Sequence, residues 1–191
     1  MPNWCNNSIT IKGSTETIKQ LWDNANQIGE AGGLLHAMAP MPEGLIGTKK
    51  GTGEELQTEV FDGHTNWYDW AVDRWGTKWD VSLEGLEYTD NGDGTSEITG
   101  WFDSAWAPPI GAYEQFLEAN EDCTIAASYY EPGMDFAGFY TDGEDEYLED
   151  LHAEYKLPEN QQSSLFKRLD EEYDLSSQFA EYDEDYESED I

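Results

Sequence analysis

Polar and apolar residues alternate from Asn7 to Lys12 (NSITIK), the period of a strand with one buried face, and Gly13 closes the run. Ser14 then stands where a helix cap belongs, ahead of Ile18, Leu21, Trp22, Ala25 and Ile28 at helical spacing, which predicts a helix ending near Gly29. The stretch from Gly29 to His64 carries Pro40, Pro42, Gly44, Gly47, Gly51 and Gly53 and reads as an irregular insertion. Trp67, Trp70, Ala71, Arg74 and Trp75 recur at helical spacing and predict a short aromatic helix. Two alternating runs, Asp80 to Thr89 and Thr95 to Asp103, flank Asp90-Asn91-Gly92-Asp93-Gly94, and Asn-Gly between such runs signals a hairpin.

Pro108 and Pro109 open a second helix, with Ile110, Tyr113, Phe116 and Leu117 on one face. Cys123 to Tyr130 is a further strand, and Phe136 to Tyr140 is another after Pro132-Gly133. Strand, helix, hairpin, helix, strand is the split βαβ order, so an α+β fold is expected: a ferredoxin-like antiparallel sheet with helices on one face and an extra terminal strand. Beyond Asp142, Tyr147, Leu148, Leu151 and Tyr155 form one helical stripe and Leu165, Phe166, Leu169 and Tyr173 another. Glu181 to Ile191 (EYDEDYESEDI) has no apolar period and is expected to be disordered alone. The organisation is a domain over 1–141, with its insertion at 29–64, and an acidic helical extension with a disordered tail over 142–191.

Charge narrows the function. The chain has 191 residues, 42 of them Asp or Glu and 9 Lys or Arg, for a formal net charge of -33. Phosphate neutralisation needs a basic stripe, so direct binding to nucleic acid or to an anionic membrane surface is not expected. No apolar run approaches the ~18 residues of a spanning helix, and the N-terminus lacks the features of a signal peptide, so a soluble protein of the host cytoplasm is expected. A surface this anionic draws basic surfaces toward it. Duplex DNA carries one charge per ~1.7 Å, so 33 charges match about 56 Å of duplex, on a chain whose radius of gyration is about 16 Å. The densities are of the same order, and carboxylates can stand where phosphates would lie. Solubility or a high-salt source would explain the same acidity.

Several strings carry a family resemblance: the opening Met1-Pro2-Asn3-Trp4-Cys5-Asn6-Asn7, then Trp75-Gly76-Thr77-Lys78-Trp79-Asp80, Phe102-Asp103-Ser104-Ala105-Trp106-Ala107-Pro108-Pro109, and Tyr130-Glu131-Pro132-Gly133 leading into Phe136-Ala137-Gly138. They resemble the YubB-like proteins of conjugative plasmids and phages over residues 1 to about 140, leaving the acidic quarter unmatched. The resemblance implies a ferredoxin-like domain and a mobile-element origin, a setting in which small acidic proteins counter host defences. As residues, the strings read first as packing: Lys78 and Asp80 beside indole faces, and Ala105-Trp106 with two prolines as a rigid strand-to-helix corner.

Tests for chemistry return little. Cys5 and Cys123 are too few for a disulfide framework and start neighbouring antiparallel strands at opposite ends, so free buried thiols are expected. His36, His64 and His152 lack zinc spacing. Asn91, Asp93 and Gly94 fit the third, fifth and sixth places of a calcium loop, but Gly100 falls where the bidentate Glu belongs. Pro2 as an N-terminal amine would need Met1 removed and a cationic partner, and reads as a strand entry. Neither catalytic set, cofactor nor metal is expected.

The expected function is a non-enzymatic phage or plasmid protein that binds and inhibits a basic, nucleic-acid-binding host defence protein, with DNA mimicry as the means. The residues expected to touch that partner are Glu144, Tyr147, Glu149, Asp150, Glu154, Tyr155, Asp170, Glu171, Glu172, Tyr173 and Asp174 in the ordered part of the extension. Tyr182, Asp183, Glu184, Asp185, Tyr186 and Glu187 follow in its mobile end. Two alternatives stand: a small-molecule-binding domain or enzyme with a pocket among Trp4, Trp67, Trp70, Trp75, Trp79, Trp101 and Trp106, or an accessory protein that self-associates through its sheet.

Overall fold

The computed structural model describes residues 3–27, 33–49 and 59–189. Strand β1 (Trp4–Ser14) leads into helix α1 (Thr15–Ala25), whose first turn is capped by the Ser14 hydroxyl accepting from the Thr17 amide. Helix α1 ends at Ala25, short of the expected end near Gly29, because Asn26 caps it by donating its side-chain amide to the Trp22 carbonyl at 2.8 Å; Ile28, Gly29, the glycines at 51 and 53 and Pro2 lie outside the described residues. Within the insertion the chain forms α2 (Leu34–Met38) and a 3-10 turn at Glu43–Leu45, so part of it is regular. The aromatic helix α3 spans Trp67–Arg74, as its spacing predicts.

Strands β2 (Leu86–Asp90) and β3 (Thr95–Ala105) form the hairpin, with Gly92 and Gly94 at φ +75° and +93° in its turn. The expected strand start at Asp80 is corrected to Leu86, because the Asp80 side chain is drawn aside to cap α2. Helix α4 (Ile110–Ala119), β4 (Thr124–Glu131) and β5 (Phe136–Thr141) follow. The sheet has six strands in the order β2-β3-β1-β4-β5-β6, where β6 is Glu144–Glu149. Its first four are the split βαβ arrangement, with β1 antiparallel to both β3 and β4.

Register sets the layers. Ile9 lies between Gly100 and Ala127, and Ile11 between Ile98 and Ile125. That face is covered by Ile18 and Leu21 of α1 and Ala112 and Phe116 of α4, forming the larger core. The opposite face carries Tyr130, Ala137 and Leu148, in line across β4, β5 and β6. On it sit α5 (Leu151–Tyr155), α6 (Ser164–Tyr173) and α7 (Leu175–Glu189), which bury Leu151, Phe166, Leu169, Leu175 and Phe179 in a second, smaller core. The ferredoxin-type helices thus share one face, as expected, and the acidic extension adds a layer to the other.

Two expectations for the extension are corrected. Tyr147 and Leu148 belong to strand β6 rather than to a helical stripe, because Asp142-Gly143 turns the chain straight back: both have positive φ, 49° and 98°, and Thr141 pairs with Glu144. The segment from Glu181 to Glu189 is helical rather than disordered, since α7 is anchored upstream by Leu175 and Phe179 and its first turn is tied to the Asp170 carboxylate.

Gly138 shows how tightly the outer strands are matched. Tyr129 lies flat across β5 at Gly138 and donates its hydroxyl to Asp145 on β6 at 2.7 Å, while a Cβ on Gly138 would stand 2.4 Å from that hydroxyl. Gly138→Ala is therefore expected to lift the ring, break the bond to Asp145 and lower stability by about 1–3 kcal/mol in urea denaturation. An unchanged midpoint would mean that the ring has room to move.

Candidate functional site

The segment from Trp75 to Asp80 is pinned at four points and turned outward at two. Trp75 is buried, packs edge-on against Trp70 at 5.5 Å and donates its indole N–H to the Ala39 carbonyl at 2.8 Å. Gly76 takes φ +88° where a Cβ would press on the Pro108 carbonyl at 3.1 Å. The buried Thr77 hydroxyl donates to the Ala105 carbonyl at 2.8 Å and accepts from the Ala105 amide at 3.1 Å, fastening the segment to the end of β3. Asp80 caps α2: one carboxylate oxygen accepts from Leu35 and Val81 and the other from His36, each at 2.8 Å. Burial pushes the Asp80 carboxyl above its usual range, against the pull of those three amides.

Lys78 and Trp79 are left facing outward. The Lys78 ammonium lies 3.6 Å from the Trp79 ring centre and 4.3 Å from that of Trp106, a cation between two indoles. Trp106 holds φ +75°, costly for a bulky residue, and its amide donates to the Asn3 carbonyl at 3.0 Å. Trp4 stands 6.2 Å from Trp79. Trp101 rises from the uncovered face of β3 beside Gly85. Trp101 is 64% exposed, Trp4 46%, Trp79 42% and Trp106 38%, so four of the eight tryptophans show their rings to solvent at one end of the sheet. Exposed aromatic ledges of this kind mark binding surfaces.

A cleft opens on either side of Trp79. One, of about 350 Å³, lies between Trp4 and Trp79 on one wall and Trp101 on the other, with Glu84 and Asp103 among its lining residues. The second, of about 300 Å³, is lined by His36, Met41, Ile46, Trp67, Lys78 and Trp79. Asp80 touches both. Of the seven tryptophans expected around a pocket, Trp70 is buried in the core and Trp106 lines neither cleft, Trp75 lines the second from within the core, and Trp4, Trp67, Trp79 and Trp101 line walls.

The acidic candidates divide by what they do. Glu144, Glu149, Asp150, Glu171, Asp174 and Glu184 are exposed, and Tyr147 and Tyr182 stand out beside them. Others serve the fold: Glu154 accepts from the Ser163 amide, Asp170 from the amide and hydroxyl of Ser176, and Glu172 from the Ser128 hydroxyl. Asp183 receives Lys156 and His152, while Tyr155 stacks against His152 and Phe179 and Tyr173 donates to Ser128. Asp185, Tyr186 and Glu187 fall in α7, and their side chains lie outside the described residues. The set also faces two ways. Tyr147 and Glu149 line a cleft of about 310 Å³ with Pro108 and Ile110 on the α4 side of the sheet, whereas α6 and α7 cover the other side.

Both thiols are buried at opposite ends of the sheet, Cys5 near Ser104 and Cys123 beside Gly13. Burial pushes Cys5 up to about 12 and Cys123 up to about 11, which keeps both as unreactive thiols at neutral pH. Among the described residues no group of three His, Cys, Asp or Glu is placed to hold a metal, and no helix is long and apolar enough to cross a membrane.

Residues 75–183, more than half of the chain, match the family described as the ferredoxin-like domain in Api92-like protein. The chain belongs to this family. The Api92-like match starts at the pinned Trp75 segment, takes in Lys78, Trp79, Trp101 and Trp106, and runs on through the acidic extension to Asp183. It therefore covers most of the quarter that the YubB-like resemblance leaves out. The crystal structure of a protein api92 from Yersinia pseudotuberculosis is 22% identical with a TM-score of 0.32, over 46% of this chain and 31% of that one. The match thus spans less than a third of that protein's length. No curated protein matches the chain.

Proposed function

We propose that this Api92-like chain is a non-enzymatic binding protein that engages and inhibits a basic, nucleic-acid-binding protein in the host cytoplasm, its carboxylates standing in for phosphates. The finer placement among YubB-like plasmid and phage proteins, with the anti-defence role that origin suggests, belongs to the same proposal and rests on the strings between Met1 and Gly138.

The observation that carries it is the state of the cations. Six of the eight described lysines and arginines are engaged within the chain: Lys12, Lys19, Lys156 and Arg168 are each paired with a carboxylate, Arg74 meets Asp62 and Asp73, and Lys78 lies between indoles, while Lys49 and Lys167 are exposed. What faces outward is carboxylate in excess, with aromatic rings as contact points. Alternate carboxylates on a strand such as β6 lie about 7 Å apart and those four apart on a helix such as α7 about 6 Å, both close to the phosphate spacing of one DNA strand.

The test is capture from host lysate at low salt, followed by binding measurements on the purified captured protein. Duplex DNA is expected to compete, and affinity to fall steeply with salt. Changing Glu144, Glu149, Asp150, Glu171, Asp174 and Glu184 to amides together should weaken binding at least about tenfold. Affinity indifferent to salt, to DNA and to these changes would remove the proposal. The cleft of about 350 Å³ favours a second reading, a small-ligand site, since its size and indole walls are within the range of such pockets.

A further inference from the structure

The cleft between Trp4, Trp79 and Trp101 has walls and rim of different character, and the combination selects a ligand. Its lining includes the indole rings of Trp4, Trp79 and Trp101 together with Gly85 and Ala105. Its rim carries the exposed carboxylates of Glu84 and Asp103, the latter held by the Asn6 side-chain amide at 2.7 Å. Among the described residues no Lys or Arg lines it, so its negative charge is not balanced from within.

On the other side of Trp79 the chain shows what such walls accept. There the Lys78 ammonium is enclosed by Trp79 and Trp106, so this ledge already holds a cation between indoles where one is tethered nearby. The cleft offers the same ring type with carboxylates at its edge and no cation of its own. An apolar ligand would shield Glu84 and Asp103 from water while leaving their charge uncompensated. An ammonium can rest on such rings, as Lys78 does, but as a compact, strongly hydrated point charge it has no flat edge with which to stack on one indole and bond a rim carboxylate at once. A guanidinium is flat, weakly hydrated and able to stack on an indole while its N–H edge reaches a carboxylate at the rim.

We infer that this cleft is the seat of an arginine side chain from the basic partner, stacked against Trp101 and bonded at its edge to Glu84 or Asp103. The inference rests on the basic-partner reading and deepens it: carboxylates elsewhere supply attraction at a distance, and this cleft supplies discrimination between arginine and lysine.

The probes are hexa-arginine and hexa-lysine peptides, equal in charge and different in head group, titrated by calorimetry against the full chain at low salt. Hexa-arginine is expected to bind about tenfold more tightly, with quenching of indole fluorescence. Trp101→Ala, a change at an exposed ring, should bring the two peptides to near-equal affinity while leaving hexa-lysine binding within about twofold. The pair Glu84→Gln and Asp103→Asn should reduce the preference as well. Met134→Ala, at an exposed side chain in the β4–β5 turn outside this cleft, should keep it. Equal affinity of the two peptides for the unaltered chain, or a preference that survives Trp101→Ala, overturns the arginine seat and leaves the basic-partner reading intact. Failure of both peptides to bind at low salt overturns both.

Discussion

Phe166→Ala is expected to lower the stability of the acidic extension by about 3–5 kcal/mol and to release α5, α6 and α7 from the sheet before the sheet itself opens. Phe166 is almost wholly buried in the second core, whose other members are Tyr130, Ala137, Leu151, Leu169, Leu175 and Phe179. That core shares no buried side chain with the larger one on the opposite face; the two are joined through the sheet. A cavity there cannot be refilled by groups from the α1 and α4 side. The layer is also the most acidic part of the molecule, 19 acidic residues against 3 basic from Asp142 onward, so repulsion opposes its docking and the margin is narrow. Hydrogen exchange should show protection lost across α5 to α7 and kept in β1, β3 and β4, and added salt should restore part of it. A uniform loss of protection over both cores would show that they open as one unit.

The same two-sided construction explains what sequence patterns revealed and what they hid. β1, α1, the β2-β3 hairpin and α4 each carry a clean period and a turn or cap signal, Gly13 after one and Asn91-Gly92 within another, and these elements form in the expected order, with β2 starting later and α1 ending earlier than the patterns put them. β6 was ambiguous because Tyr147, Leu148, Leu151 and Tyr155 satisfy a helical stripe as well as a strand that ends before a short helix. The deciding signal was Asp142-Gly143, the dipeptide preferred in two-residue hairpin turns. α7 looked featureless from Glu181 onward because its anchors, Leu175 and Phe179, lie before that point. The site was legible in its residue types only. Trp70 and Trp101 occur in equally plausible runs, yet one is core and the other is exposed, and nothing local separates them: the difference comes from α3 packing inward while, among the described residues, no helix covers Trp101 on β3. The cap that Asp80 places on α2 joins residues 45 positions apart, beyond any local pattern.

That cap carries the second large effect. Asp80→Ala is expected to cost about 3 kcal/mol or more, because the amides of Leu35, His36 and Val81 would each lose their acceptor in a half-buried site, and α2 would lose the contact that seats Leu34 and Leu35 in the core. Asp80→Asn separates charge from geometry. Its side-chain oxygen can keep Leu35 and Val81, but its NH2 would face the His36 amide, donor against donor, so about 1–3 kcal/mol is expected to go. The two proteins should also diverge with pH. Burial holds the Asp80 carboxyl above its unfolded value, so the folded state binds the proton more tightly than the unfolded one. The carboxyl's contribution is then greatest below the ordinary carboxylate range and declines as pH rises through the raised value. The stability advantage of the natural chain over the Asn variant should therefore narrow from mildly acidic pH toward neutrality, read from urea midpoints of both proteins in matched salt. Since Asp80 borders both clefts, the Ala variant should in addition loosen Trp79 and weaken hexa-arginine binding, whereas the Asn variant should keep most of it. An Ala variant as stable as the natural chain at pH 7 would show that water reaches the three amides and that the ledge stands without its cap.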